Sequence, residues 1–194
     1  MSQIDIDNFV ESANTGTLTS GGVTRAVAMG IPVNVRQSGC WGHIALHNAV
    51  SRKRRELVVA LLAAGADANM KNLFGRTSVW AGAAFSTADI LQLLMDGGGS
   101  VNEADIYGQT PLIALVRHNY GDVAARLQVL LACPKLDLDA TYDGNTAEEW
   151  AVDRGYSELA VMIVEERARR ERWSALRAAW VAATIVLTAA PSSV

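Results

Sequence analysis

The sequence repeats itself at a period of 33 residues, and this period limits the chain to a stacked architecture. Gly42, Gly75 and Gly108 are each 33 residues apart, and Gly144 follows 36 residues later. The glycines open similar phrases, GHIALHNAV, GRTSVWAGA, GQTPLIALV and GNTAEEWAV. A second landmark has the same period, because GADAN at 65–69 is matched by GGSVN one period later. A unit this short cannot bury its apolar face alone, so we expect neighbouring units to stack into a solenoid.

The residue types within each unit predict two short helices followed by a hairpin. Thr110 is placed to cap a helix with its hydroxyl, and Pro111 suits the first helical position because no N–H is needed there. Thr146 and Glu149, three residues apart, predict a capping box. The apolar runs that follow have helical spacing, and Gly65 stands where a helix should end in a left-handed cap. Each unit is therefore expected to be helix, turn, helix and hairpin.

These phrases resemble the ankyrin repeat, whose family pattern is GxTPLHxAA, then EVVKLLL, then GADVN. The closest matches are 108–112 for the first phrase and 56–69 for the rest. The resemblance implies an all-α ankyrin-repeat solenoid over residues 1–166, with an additional C-terminal capping helix and tail at 167–194. Within the solenoid we expect an N-terminal cap at about 5–38 and repeats at about 39–71, 72–104, 105–140 and 141–166.

The sequence departs from the family pattern at several positions. The third repeat carries an insertion near 119–126 and lacks its terminal glycine. Ile44 stands in place of a capping threonine. The family histidine is present only at His47, where the resemblance implies a hydrogen bond to neighbouring backbone. At the other repeats this position holds Trp80, Ile113 and Glu149.

Composition and charge exclude several classes of protein. The formal net charge of −3 gives no reason to expect a nucleic-acid partner. Cys40, at a predicted hairpin tip, and Cys133 are too few for a disulfide framework and are expected to be ordinary thiols. Nothing at the start resembles a signal peptide. We therefore expect a monomer in the cytoplasm, with the nucleus as the alternative.

No residue pattern indicates catalysis or a cofactor. His43, His47 and His118 are the three histidines, and their spacing predicts no zinc or catalytic site. The glycines of 97–100 end a repeat, whereas a phosphate-binding loop should precede a helix. The sequence predicts a protein that is not an enzyme and has no metal or cofactor, with an enzyme of atypical site as the remote alternative.

The resemblance implies that the hairpin tips and first helices form a concave face that binds a protein partner. The residues before the repeat glycines, those after them and those near the ends of the first helices each form a row in register. Aromatic residues and arginine are enriched at the centres of interfaces. The alternative is that the aromatic side chains stack on one another between hairpins. The predicted contact residues are Trp41, His43, Arg52, Phe74, Arg76, Phe85, Tyr107, Gln109, His118 and Asp143.

Two basic segments leave their roles open. Residues 52–55, RKRR, suit a solvated turn, a weak nuclear-import signal or electrostatic attraction of an acidic partner. The tail is rich in arginine, and one helical face contains Trp173, Leu176, Trp180, Ala183 and Leu187. That helix either folds back as a cap over the last repeat or binds a membrane. The leading function is thus an adaptor, scaffold or inhibitor that binds an unidentified protein, and a membrane-tethered adaptor is the alternative.

Overall fold

The computed structural model describes residues 3–38 and 41–188, with side chains at 5, 7–38 and 41–180. The prediction for Cys40 lies outside the described residues. The helices are α1 (Gln3–Thr15), α2 (Ser20–Ala28), α3 (Ala45–Ser51), α4 (Arg55–Ala63), α5 (Ser78–Phe85), α6 (Ala88–Asp96), α7 (Pro111–His118), α8 (Val123–Leu131), α9 (Ala147–Asp153) and α10 (Ser157–Thr188). Two short antiparallel strands, β1 (Thr141–Tyr142) and β2 (Asn145–Thr146), form the last hairpin.

The helices stack in two layers. The first helices α1, α3, α5, α7 and α9 pack in sequence against one another, and the second helices α2, α4, α6, α8 and α10 form the other layer. The core lies between the layers and includes the fully buried side chains of Leu46, Leu61, Leu94, Ile113 and Leu127. Each such side chain contributes roughly 2 kcal/mol of burial free energy. The predicted all-α solenoid of helix, turn, helix and hairpin is confirmed.

Helix caps form where the sequence predicts them. The hydroxyl of Thr110 accepts a hydrogen bond from the amide three residues on, at 3.4 Å. Thr146 does the same at 3.3 Å, and the Glu149 carboxylate accepts the amide of Thr146 at 2.7 Å, which completes the capping box. Ile44 has no hydroxyl, and its amide donates instead to Nδ1 of His47 at 3.3 Å. The histidine ring therefore supplies the half of the capping box that Glu149 supplies in the last repeat, while the hydroxyl half is missing.

Two of the hairpins are each closed by one polar side chain. Oδ1 of Asn72 accepts the amides two and four positions on, at 2.9 and 3.0 Å, and Asp105 repeats the pattern at 3.0 and 3.0 Å. Gly75 in the same turn has a φ of +71°, and a Cβ there would lie 2.9 Å from the amide nitrogen of Ile106. The hairpin thus requires a glycine both for its backbone angle and for the close approach of the next repeat.

Main-chain hydrogen bonds join the hairpins to one another. The amide of Leu73 donates to the carbonyl of Trp41 at 3.1 Å, and the amide of Ile106 donates to the carbonyl of Phe74 at 2.9 Å. These bonds satisfy backbone groups that would otherwise need water. They also set the distance between successive hairpin tips.

An asparagine ladder joins the repeats where the second helices end. In each of three turns the side-chain amide donates to a carbonyl of the next repeat, at 3.1, 3.0 and 2.7 Å. The side-chain oxygen accepts the amide two residues beyond that carbonyl, at 2.8, 2.7 and 2.9 Å. The three residues are Asn34, Asn69 and Asn102. This paired hydrogen bond explains why an asparagine ends the GADAN and GGSVN landmarks.

The insertion of the third repeat is held in place by a buried arginine. Asn119 ends α7 with a left-handed φ of +41°. Arg126 is fully buried, and its guanidinium donates to the carbonyls of Ala83, Tyr120 and, at 3.3 Å, Asp122. The insertion is therefore attached to the second repeat, through the carbonyl of Ala83 near the end of α5.

The last helix continues without a break through the expected boundary at 166/167. Arg170 donates to the carbonyls of Leu131, Cys133 and Leu136 at 3.4, 3.0 and 2.6 Å. Those carbonyls lie at the end of α8, where the repeat has no glycine. Residues 171–180 are all exposed, so the expected return of the tail over the last repeat does not form in the described residues. A continuous helix with no glycine or proline between Tyr156 and Pro191 has no point at which to turn.

We expect Arg126→Leu to lower the free energy of unfolding by about 3 kcal/mol, because three carbonyls lose a charged donor in a buried setting. Urea unfolding followed by circular dichroism measures the change. Arg25→Leu is the matched control, since Arg25 is exposed on α2. A loss no larger than that of the control would show that the buried guanidinium is not what holds the insertion.

Candidate protein-binding face

The hairpins and first helices enclose a shallow cavity of about 240 Å³. His47 and Trp80 form part of its wall. Five of the residues predicted to contact a partner also line it, namely Trp41, His43, Phe74, Arg76 and Phe85. Residues that are far apart in sequence therefore share one concave surface.

The aromatic hairpin row is partly stacked and partly open. The ring centroids of Trp41 and Phe74 are 5.1 Å apart. Trp41 is nevertheless 53% exposed and Tyr107 is 56% exposed, whereas Phe74 is half-buried. The stacking alternative thus describes one pair, Trp41 and Phe74, and two of the three aromatic side chains in the row are more than half exposed.

Arg76 is fixed at the centre of this surface. Its guanidinium lies 4.0 Å from the Trp80 ring centroid and 5.5 Å from that of Phe74. Its Nε contacts the buried carboxylate of Asp105 at 3.2 Å. Because the cation is both stacked and paired, it is held in one position.

Trp80 takes over the role of the family histidine. Nε2 of His47 lies 3.0 Å from the carbonyl of Arg76, 29 residues on. Nε1 of Trp80 donates to the carbonyl of Gln109 at the same distance and the same separation in sequence. By its sequence position this tryptophan departs from the family pattern. It nevertheless carries a ring N–H at the histidine position, which is the sequence feature that indicates the shared role.

Gln109 corrects the predicted contact set. It is only 6% exposed, because the hairpin turns its side chain inward. It therefore lies below the surface that a partner would reach. Its backbone carbonyl instead ties the hairpin to α5.

The remaining predicted residues lie around the rim. Arg52 is exposed at the end of α3, where it donates to Oδ1 of Asn14 at 3.3 Å. Asp143 is exposed at the last hairpin, with a left-handed φ of +54°. The ring of His118, at the end of α7, has its centroid 4.7 Å from that of Phe85, which lines the cavity.

A second aromatic cluster on the same face was absent from the predicted contact set. The Tyr142 and Trp150 rings lie 6.1 Å apart, and Nε1 of Trp150 donates to the Tyr142 carbonyl at 3.1 Å. Arg117 lies over both rings, and Arg154 lies over Trp150. Arg154 occupies the same repeat position as the predicted contact residue His118. That shared position is the sequence feature that indicates Arg154 as a further contact residue.

Two histidines of this face have lowered pKa values. Burial lowers the pKa of His47 from 6.5 to about 4, with a further contribution from the charge of His43, while the hydrogen bond to Arg76 opposes the shift. The partial burial of its ring lowers the pKa of His118, and nearby arginines add to the effect. His47 is therefore neutral when folded, which fits a ring that accepts at Nδ1 and donates at Nε2.

The described residues hold no group of three or more His, Cys, Asp or Glu side chains placed to bind a metal. Across the same part of the chain, no helix is long and apolar enough to cross a membrane. The glycines of 97–100 follow α6, and a Cβ at Gly99 would lie 2.4 Å from Cγ2 of Val79. Close packing between repeats explains that glycine.

The stacked helix pairs and their concave aromatic face define a helical repeat protein. Residues 46–129 match the family model described as ankyrin repeats (3 copies). The chain therefore belongs to the ankyrin-repeat family. That family is typically a non-enzymatic fold for protein interaction.

The chain is also similar to segments of much longer proteins. It is 30% identical over 132 residues to neurogenic locus notch homolog protein 2 of Homo sapiens, which is 67% of this chain and 5% of that protein. Neurogenic locus notch homolog protein 1 of Mus musculus is 30% identical over 137 residues, with the same shares. The chain thus spans about 5% of the length of these curated relatives.

The pKa of His47 makes stability depend on pH. Between pH 6.5 and 4 the unfolded chain binds a proton at His47 and the folded chain does not, so the free energy of unfolding falls as pH falls. We expect His47 alone to contribute a loss of about 3 kcal/mol across this window. Urea unfolding at successive pH values measures it.

His47→Gln should flatten this pH dependence, because glutamine does not titrate. The matched control His118→Gln removes an exposed histidine and should leave most of the dependence in place. Equal slopes for wild type and His47→Gln would contradict the assignment.

Proposed function

We propose that this chain is an adaptor, scaffold or inhibitor that binds a partner protein through the concave face of its hairpins and first helices. The observation that carries the proposal is the cavity beside Trp41 and Phe74, where exposed aromatic surface surrounds a fixed arginine. Membership of a protein-interaction family supports it. Partner identity is left to experiment, because one repeat fold serves many partners.

Preorganisation is the proposed source of affinity. The hairpins are joined by main-chain hydrogen bonds, and Arg76 is held by Asp105 and Trp80. Few of these groups lose conformational entropy when a partner docks. Because the surface is already ordered, the entropic cost of binding is small, and a small contact area can give tight association.

We expect the double variant Trp41→Ser, Phe74→Ser to lose the partners that wild type recovers, by about tenfold or more, because the apolar anchor surface is removed. The measurement is a pull-down with quantitative mass spectrometry. The fold is checked by circular dichroism, since Trp41 is more than half exposed and its loss should cost little stability.

The matched control is the double variant Val59→Ser, Val161→Ser. Both valines are exposed, and both belong to the second-helix layer on the opposite face. It should recover the same partners as wild type. If the folded double variant Trp41→Ser, Phe74→Ser recovers the same partners as wild type, the proposed binding face is wrong.

The tail supports a second candidate function, a tether to a membrane surface. Trp173, Leu176 and Trp180 are 66%, 63% and 69% exposed at helical spacing, and Arg172 and Arg177 lie beside them. Tryptophan and arginine on one amphipathic helix suit the interface of an anionic bilayer. Ala183 and Leu187, which continue this face in the sequence, have side chains outside the described residues.

We expect wild type to float with liposomes that contain anionic lipid, and the triple variant Trp173→Ser, Leu176→Ser, Trp180→Ser to remain in the aqueous fraction. The physical reason is that the variant lacks the apolar side chains that would insert into the bilayer interface. The matched control Val59→Ser, Val161→Ser should float like wild type. If wild type itself fails to float, the tether is wrong and the concave face is unaffected.

A further inference from the structure

The concave face carries positive charge that its surroundings do not neutralise. Within the part of the chain described here, no carboxylate forms an ion pair with Arg117 or Arg154. Arg76, on the same face, is paired with the buried carboxylate of Asp105 at 3.2 Å. At the ends of α7 and α9, by contrast, two cations of this face have no carboxylate paired with them, in a chain whose net charge is −3.

These two guanidinium groups are held in place by aromatic rings. Arg117 lies 4.5 Å from the Tyr142 centroid and 5.0 Å from that of Trp150, and Arg154 lies 5.3 Å from Trp150. Arg154 also donates to the carbonyl of Arg117 at 2.8 Å. A guanidinium that is held in place by stacking and has no carboxylate paired with it is preorganised for one.

The two arginines are continuous with the apolar cavity. His118 follows Arg117 directly, and its ring lies 4.7 Å from Phe85 and 5.7 Å from Trp80. Phe85 and Trp80 both line the cavity. One ligand segment can therefore contact the aromatic cavity and the cations together.

Three arginines act together at His118. Partial burial is the main cause of the lowered pKa of His118, the charges of Arg76, Arg117 and Arg154 lower it further, and Asp105 opposes them. Asp105 is itself buried and paired with Arg76. The charges of Arg117 and Arg154 are thus available to attract a partner.

We propose that the occupant of this face is an acidic, extended segment of a partner protein. Its carboxylates pair with Arg117 and Arg154, and an apolar side chain fills the cavity beside Trp41. This inference rests on the proposed function, since it names the chemistry of the partner at that same face. A nucleic-acid backbone fits less well, because the chain has a net charge of −3, whereas binding to a row of phosphates requires an excess of cations.

The experiment selects peptides from a displayed library of random linear sequences on the full chain. We expect enrichment of peptides that combine Asp or Glu with an aromatic or aliphatic residue. Arg117→Gln and Arg154→Gln should each weaken the selected peptides about tenfold. Raised ionic strength should weaken them as well. Arg154 is exposed, so Arg154→Gln keeps the test valid if Arg117→Gln does not fold.

Arg25→Gln is the matched control, an exposed arginine on α2 that should leave the affinity unchanged. The inference is overturned by enrichment of peptides without acidic residues, by no enrichment, or by unchanged affinity in both arginine variants. Binding of a single-stranded RNA oligonucleotide in place of acidic peptides overturns it as well. Failure of the proposed binding face gives a different result from failure of this inference. If the face is wrong, the double variant Trp41→Ser, Phe74→Ser binds any selected peptide as tightly as wild type does.

Discussion

The main-chain hydrogen bonds between successive hairpins are the constraint on which the rest of this structure depends. Each bond pairs an amide of one hairpin with a carbonyl of the previous one, as Leu73 does with Trp41. No repeat could leave these groups unpaired without a cost in free energy. The bonds fix the spacing of the hairpins and so place Trp41 and Phe74 in contact across a repeat boundary. The concave face exists because the repeats are stacked, not because any one repeat builds it.

A few side chains perform the same task with different chemistry. The ring of His47 and that of Trp80 both reach a carbonyl of the next hairpin at 3.0 Å. The side chain of Ile113, at the same position, has no N–H group. The third and fourth repeats are joined elsewhere, at the ends of α7 and α9, where Arg154 donates to the carbonyl of Arg117 at 2.8 Å.

The two irregular features of the sequence have one structural explanation each. The insertion near 119–126 is held by the buried guanidinium of Arg126, which bonds carbonyls of two repeats. The missing glycine after α8 is compensated by Arg170, which reaches back from α10 to the free carbonyls there. Both solutions use arginine, because its planar group can satisfy several acceptors from one side chain.

The sequence by itself determined the repeat, its period, the caps at Thr110 and Thr146, and the row that contains Trp41 and Phe74. Those features follow from the spacing of residues along the chain and from their types, both of which are visible in the sequence. Only the tertiary structure decided that Gln109 turns inward and that Arg117 lies over the rings of the next repeat. Side-chain direction and contacts between repeats depend on how neighbouring units pack, and a period in the sequence does not specify them.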